Sequence, residues 1–345
     1  GAKVDGVFGM WYGKGPGVDR CGDVFKHANA AGTAALGGVL ALAADDHACR
    51  SSTLPHGSEE EFVSAMMPVL NPAGVQDILD MGLLGWAMSR YTGRWIGFKT
   101  IAETVESSAS VEVDPMARAI VLPGDEDFAL PAGGLNIRWP DPPMEQEMRL
   151  HRYAVNAAQA FARANRIDRV VMDSPQRRLG IVTTGKSYLD VLQALEYLGL
   201  DGDACRHIGI SVYKVGMSWP LEPQGISAFA RGHQDIVVVE EKKAFIERQM
   251  KEIFYNWPSS WGARPSIVGK YDEQGQWILP STGELTPATI AGVIGRRILR
   301  LLSGSDFNTE SIQQRLHWME EKEAEMALPR ANFPRVPHYC AGCPH

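Results

Sequence analysis

Leu179-Gly180-Ile181-Val182-Thr183-Thr184-Gly185-Lys186-Ser187 decides how this chain is read, because the same residues support two different proteins. From Gly180 onward the letters fit the phosphate-loop pattern G-x-x-x-x-G-K-S. In a working phosphate loop the strand ends before the first glycine, and the residues that follow stay a loop whose N–H groups wrap a phosphate. Here the residues ahead of Gly180, Ser174-Pro-Gln-Arg-Arg-Leu179, make a poor strand, whereas Ile181, Val182, Thr183 and Thr184 are β-formers. The stretch is therefore read as a strand over 179–184, a tight turn at Gly185 and a helix opening at Lys186 and Ser187. A phosphate-loop, nucleotide-dependent enzyme is the rival reading, and ATP protection of this unit would reveal it.

Working outward, the pattern repeats. A helix over 187–198, a strand over 208–213, a helix over 224–231, a strand over 236–240 and a helix over 244–254 alternate regularly, followed by a strand over 266–270. Such β-α-β-α alternation predicts an open, doubly wound parallel sheet. Beyond it, Thr286 caps a helix over 286–302 with Pro287 at its first position, and a charged helix covers 309–326. Upstream lies a second α/β stretch, with strands over 4–10, 38–44 and 95–101 and helices over 19–35 and 74–91. Between the two stretches, Pro115, Pro123, Pro131, Pro140, Pro142 and Pro143 interrupt any periodicity before a helix over 147–165. The predicted division is 1–113, a Pro-rich linker and helix over 114–174, a second unit over 175–305, and a helix and coil over 306–345.

Composition narrows the function classes. With 345 residues and 45% hydrophobic content the chain is long enough for two cores. A net charge of −7, with no basic run longer than Arg177-Arg178 or Arg296-Arg297, lacks the electrostatic footprint of a nucleic-acid binder. No apolar run approaches the roughly 20 residues that span a bilayer, and no signal peptide is visible, so a soluble, cytoplasmic protein is expected. Five cysteines is an odd number, and Cys21, Cys49 and Cys205 are scattered, so they read as ordinary buried thiols.

Three places carry candidate chemistry. Gly13-Lys14-Gly15-Pro16-Gly17 reads as the loop after the first strand, where glycines permit a sharp turn or close approach to a ligand. Asp45 and Asp46 end the second strand, and His47, Cys49, Arg50, Ser51, Ser52, Thr53, His56 and Glu59 follow, a density of hydrogen-bonding groups suited to a polar pocket. Glu240-Glu241-Lys242-Lys243 sits at another carboxyl edge and reads as solvated surface. At the end of the chain, His338, Cys340, Cys343 and His345 admit zinc or an iron-sulfur cluster. Cys-x-x-Cys supplies two of about four ligands, so the remainder are expected downstream, and a non-catalytic zinc module is the second rival reading. A thioredoxin-like role is disfavoured because the pair follows a Pro-rich coil and does not open a helix after a strand.

Taken together, Gly13-Lys-Gly-Pro-Gly-Val-Asp-Arg20, Phe25-Lys-His-Ala-Asn29, Ala44-Asp-Asp46, Arg50-Ser-Ser-Thr53, Leu179 through Tyr188, Lys214-Val-Gly-Met-Ser-Trp-Pro-Leu221, Val237-Val-Val-Glu-Glu-Lys242 and Tyr339-Cys-Ala-Gly-Cys-Pro-His345 occur in the order found in the long fused form of the indolepyruvate ferredoxin oxidoreductase family. The chain resembles that family over nearly its whole length. The resemblance implies a thiamine diphosphate and Mg2+-dependent enzyme that oxidatively decarboxylates aryl or branched 2-oxo acids to acyl-CoA. Electrons would pass through a [4Fe-4S] cluster to ferredoxin, with the full protein a homo-oligomer. It implies a thiamine diphosphate-binding α/β fold: 1–113 resembles part of the pyrimidine-binding domain and 175–305 a transketolase C-terminal-like domain, and Cys340 onward looks like the opening of the diphosphate-binding domain. On the same likeness, Gly13, Lys14, Gly15, Gly17, Lys26, His27, Asn29, Asp45, Asp46, Ser51, Ser52 and His56 are candidates for orienting cofactor or substrate carboxylate. Gly342 and His345 would lie near the diphosphate, and Cys340 and Cys343 would ligate the cluster. The family's cofactor-protonating glutamate has no counterpart here, so no catalytic residue is assigned and the chain alone is expected to be inactive.

Overall fold

The structure is a computed structural model that describes residues 4–50, 52–114, 119–305 and 307–327. In the first stretch, strands β1 (Phe8–Lys14), β2 (Gly38–Asp45), β3 (Val69–Leu70) and β4 (Ile96–Ile101) form parallel pairs in the order β1-β2-β4-β3. Helices α1 (Gly15–Arg20) and α2 (Gly22–Ala31) follow β1, α3 (Glu59–Ser64) precedes β3, and α4 (Val75–Thr92) precedes β4. Right-handed crossovers dictate the layering: the steps β1 to β2 and β2 to β3 run one way across the sheet, and β3 to β4 runs back. Accordingly Val18, Phe25 and Phe62 pack with Ala41 and Ala43 on one face, while Met81, Leu84 and Met88 pack with Leu40 and Phe98 on the other. The period-two alternation of β2 serves both cores.

The second sheet contains β5 (Arg169–Met172), β6 (Leu179–Thr184), β7 (Ile210–Val215), β9 (Asp235–Val239) and β10 (Ser266–Val268), in the order β10-β9-β6-β7-β5 with β5 antiparallel; β8 (Met217–Trp219) lies elsewhere. On the chain after β4 come α5 (Ala102–Val105), α6 (Pro143–Arg149), a π-helical turn at Leu150–Ala154 and α7 (Val155–Ala164). Then follow α8 (Lys186–Tyr197), α9 (Gly202–Ile208), α10 (Pro223–Ala230), α11 (Ile246–Ile253), α12 (Pro287–Leu301) and α13 (Glu310–Ala327). Val191, Leu195, Ile294 and Leu316 cover one face through Ile181 and Val237, and Ile226, Phe229, Ile246 and Met250 cover the other through Val182 and Val238. The connections therefore change face between β6 and β9, which makes their carboxyl ends the topological switch point of this sheet.

The two sheets are joined by backbone. After Gly216 the chain leaves the second sheet and β8 pairs antiparallel with β3 of the first, Val69 opposite Trp219 and Leu70 opposite Met217. Asn71 N donates to Gly216 O at 2.9 Å, and a β-carbon on Gly216 would stand 2.7 Å from Ile167 O. Helix α7 packs on the first core through Ala157, Ala158 and Phe161, whereas β5 a few residues later belongs to the second sheet.

Two expectations change and one holds. The first strand begins at Phe8, because its register runs from Phe8 opposite Gly38 to Lys14 opposite Ala44; Gly13 and Lys14 are thus strand residues, and Gly15 to Gly17 form the first turn of α1, where Pro16 is tolerated. The helix expected over 19–35 is two helices broken at Cys21. The phosphate-loop letters resolve as strand, as read: β6 ends at Thr184, and Gly185 turns with φ of +53°. Among the described residues no helix is long and apolar enough to cross a membrane.

Candidate functional site

The carboxyl ends of β2 and β4 face those of β6 and β9. Asp45, the last residue of β2, is 3% exposed, and its carboxylate accepts from Ser58 N at 2.9 Å and Ser58 Oγ at 2.5 Å. His56 stands between two acids, with Nε2 3.0 Å from Asp19 Oδ2 and Nδ1 3.6 Å from Asp45 Oδ1. The neighbouring Asp45 carboxylate overcomes partial burial, Asp19 adds to it, and the His56 pKa rises to about 9. Burial alone would raise Asp45, but His56, the Lys99 charge and Ser58 prevail and hold it at about 2. Lys99, a lone cation inside the buried β4, donates to Glu59 and lies 3.5 Å from Asp45 Oδ2.

The second sheet answers with its own charges. Lys186 Nζ donates to Asp190 Oδ2 at 2.6 Å and Leu285 O at 3.0 Å, and is 3.4 Å from Glu241 Oε1. Glu240 is 3% exposed and accepts three backbone N–H groups, from Phe245 at 3.0 Å, Ile246 at 2.7 Å and Glu247 at 3.1 Å; burial still pushes its pKa up to about 7. Lys242 crosses to the first unit, donating to His47 O, and also to Gly283 O at 2.6 Å. Arg50 reaches Glu103 at 2.8 Å and Glu284 at 2.9 Å. Between these edges opens a cleft of about 450 Å3 lined by His56, Glu60, Lys242, Lys243, Phe245 and Ser281, among others.

The structure regroups the candidates drawn from sequence. His56 lines the cleft with the buried Asp45 behind it, and Asp46 organises their loop by accepting the Arg50 N–H at 2.8 Å. Ser52 O receives the Cys49 thiol at 2.5 Å, and Cys49 itself holds a left-handed φ of 61°. Gly15 serves this loop rather than an open ligand space, since a β-carbon there would stand 2.1 Å from the His56 ring; at Gly17 a β-carbon would meet nothing within 4 Å. Lys26, His27 and Asn29 do not join the pocket. Helix α2 runs antiparallel to the strands, so its carboxyl end returns to the opposite, amino edge of the sheet. There Asn29 Nδ2 donates to Ala65 O at 2.7 Å and Met66 O at 2.9 Å, just ahead of β3, while its Oδ1 accepts from Trp95 N at 3.0 Å, just ahead of β4. Lys26 and His27 are exposed on α2, and His27 pairs with Asp23 at 3.6 Å.

Glu240 and Glu241, read as solvated surface, are instead enclosed, because the loop that returns at Leu285 and the start of α11 fold over them. Lys99 escaped attention in the sequence, although a lysine inside the apolar run 96–101 signals a buried partner. Cys205 is buried as expected, whereas Cys21 and Cys49 are only half-buried. Ser51, Cys340, Gly342, Cys343 and His345 lie outside the described residues. Among the described residues no group of three or more His, Cys, Asp or Glu could hold a metal ion.

Comparison with known proteins agrees with the motif reading. Residues 168–328 match the family model described as the indolepyruvate ferredoxin oxidoreductase middle domain. The chain is similar to the indolepyruvate oxidoreductase subunit IorA of Pyrococcus abyssi, with 25% identity over 311 residues, 90% of this chain and 43% of that protein. The IorA subunit of Methanothermobacter marburgensis is 23% identical over 354 residues, 100% of this chain and 49% of that protein. The chain thus spans less than half the length of these curated relatives. Among solved structures it resembles a 2-oxoglutarate:ferredoxin oxidoreductase from Magnetococcus marinus, with a TM-score of 0.51 and 14% identity, covering 86% of this chain and 54% of that one. That likeness concerns the fold. It accords with the expected α/β class, in which a thiamine diphosphate-binding fold precedes a transketolase C-terminal-like doubly wound unit.

Proposed function

We propose, from this kinship with the indolepyruvate ferredoxin oxidoreductase family, that the chain is part of an enzyme that oxidatively decarboxylates aryl or branched 2-oxo acids, indolepyruvate-like, to acyl-CoA and passes the electrons to ferredoxin or a similar acceptor. The observation that carries the reading is the coincidence of the middle-domain match over 168–328 with subunit-A relatives aligned over 90% or more of the chain. The cleft between the two sheet edges is, in this reading, where a substrate is oriented, and the full protein works as a homo-oligomer.

Bound thiamine diphosphate supplies the electron sink that loss of CO2 from a 2-oxo acid requires. Among the described residues no group of three or more His, Cys, Asp or Glu stands together, so no ligands are assigned here to its Mg2+-diphosphate end. The acids Asp45, Glu59 and Glu240 are already engaged. Asp45 is held ionised by His56, Lys99 and Ser58, Glu59 is engaged by Lys99, and Glu240 is consumed by three backbone N–H groups. Proton transfer to the cofactor is therefore assigned to residues outside this set. What the cleft can provide is orientation: among the described residues Lys242 donates to two carbonyl groups, and Lys243 is exposed at the rim, a placement suited to the carboxylate of a 2-oxo acid.

Cys340 and Cys343 are proposed as two ligands of a [4Fe-4S] cluster. The test is anaerobic dye reduction with indolepyruvate and CoA. Protein of the relatives' length is expected to be active and the 345-residue chain inactive. Cys340→Ser in the longer protein should lose cluster iron and ferredoxin reduction while keeping thiamine diphosphate binding. Turnover by the isolated chain, or full iron in the variant, contradicts the respective part of the reading.

A further inference from the structure

His47 follows β2 and is 3% exposed, yet neither of its ring nitrogens has a hydrogen-bond partner among the described residues. Its ring lines a cavity of about 20 Å3 together with Asn71, Lys99, Thr184, Lys186 and Ser218, at the junction of the two sheets. Glu59, Glu241 and Phe245 form walls of both this cavity and the 450 Å3 cleft, so the cavity is the cleft's inner end. The site is built rather than left over from loose packing. Asn71 closes in on the turn at Gly185 so tightly that a β-carbon there would lie 2.4 Å from Asn71 Oδ1.

Size and charge choose the occupant. A cavity needs about 10–15 Å3 to hold a water, so this one admits a single non-hydrogen atom. A cation there would face the ammonium groups of Lys99 and Lys186, and an anion the carboxylates of Glu59, Glu240 and Glu241. Each charge already has an opposite partner or backbone N–H groups, which leaves an uncharged group favoured. Burial first, then the charge of Lys99, pulls the His47 pKa down to about 2, so the ring is neutral and presents one N–H donor and one nitrogen acceptor.

We propose that the inner end of the cleft is a subsite for one uncharged hydrogen-bonding oxygen, read by His47: a water in the free chain, and the hydroxyl or carbonyl oxygen of a cleft ligand when one reaches in. The inference stands apart from the proposed reaction, since it depends on no cofactor and no turnover.

Crystals of the 345-residue chain test it. A single density peak is expected within hydrogen-bond distance of a His47 ring nitrogen, without anomalous signal there after a bromide soak. Methanol, used as the hydroxyl probe, should place its oxygen on that peak with its methyl toward the cleft. His47→Leu should lose the peak while the Lys99–Glu59 and Lys186–Asp190 pairs persist, and His47→Asn should retain it. A bromide peak makes the site an anion site and overturns the proposal, as does an empty cavity beside an unchanged His47. Methanol that leaves the peak untouched overturns the ligand half. If His47→Leu does not fold, the wild-type and His47→Asn crystals still decide.

Discussion

Two buried polar clusters occupy opposite edges of the first sheet, and they spend their hydrogen bonds differently. At the amino edge, Arg94 is fully buried, and its guanidinium donates to Asn29 O, to Ala30 O at 3.0 Å and to Leu135 O at 2.6 Å, while Asn29 secures the starts of β3 and β4. Every partner there is backbone. At the carboxyl edge, Asp45, His56, Lys99, Glu59, Lys186 and Glu241 pair largely with one another, and His47 is left open. A cluster consumed by backbone holds elements in place. One built from facing charges around an unfilled donor and acceptor can also receive a ligand.

The contrast breaks most visibly through Lys99. Lys99→Met removes the ammonium partner of Glu59 and one of the partners of the buried Asp45, which keeps Ser58 and His56, and should cost about 3 kcal/mol in urea unfolding. Adding Glu59→Gln should recover part of the loss, and a double-mutant cycle measures how much. At the other edge, Arg94→Met takes the guanidinium donor from the carbonyls of Asn29, Ala30, Thr92 and Leu135 and should cost about 2–3 kcal/mol, with no change in ligand affinity at the cleft. Equal effects of both variants on ligand binding would erase the distinction between the edges.

A smaller effect separates the edges by pH. The folded-state pKa of His56, about 9, lies above its ordinary 6.5, so its contribution is whole below about pH 6.5 and is lost as pH rises through 9. Asp45 has the opposite sign: held at about 2 against 3.8, its contribution is present above 3.8 and is lost as pH falls through 2. Thermal unfolding across alkaline pH should show the decline, and His56→Gln should flatten it. An unchanged slope in that variant assigns the decline to other groups.

Much of this architecture was legible in the residue order. β6 and β9 are apolar runs of β-formers, and Thr286 with Pro287 announces α12, so the doubly wound unit and the accidental phosphate-loop match follow from local pattern. What escaped depends on partners distant in sequence. β3 has two residues, too few for periodicity, and exists because β4 and β8 flank it. β1 starts four residues later than its apolar content suggests, since pairing with β2 sets its register. At the site, the acidic end of β2 and His56 stood out as a polar loop, whereas the Lys99–Glu59 pair and the enclosure of Glu240 and Glu241 arise only when two sheet edges meet. Asn29 looked like its neighbours Lys26 and His27 in sequence. The direction of α2 carries all three away from the cleft.

The central claim, that the cleft between the carboxyl edges orients the substrate, is tested most directly by reversing one exposed charge at each location in protein of the relatives' length. Lys243 stands at the cleft rim and Lys26 on the outer surface of α2, both exposed, so neither change should disturb folding. Lys243→Glu is expected to raise KM for the 2-oxo acid about tenfold, a loss of about 1.4 kcal/mol, with kcat and thermal stability unchanged, while Lys26→Glu leaves all three as they were. An unchanged KM in Lys243→Glu, or an equal rise in Lys26→Glu, contradicts the account.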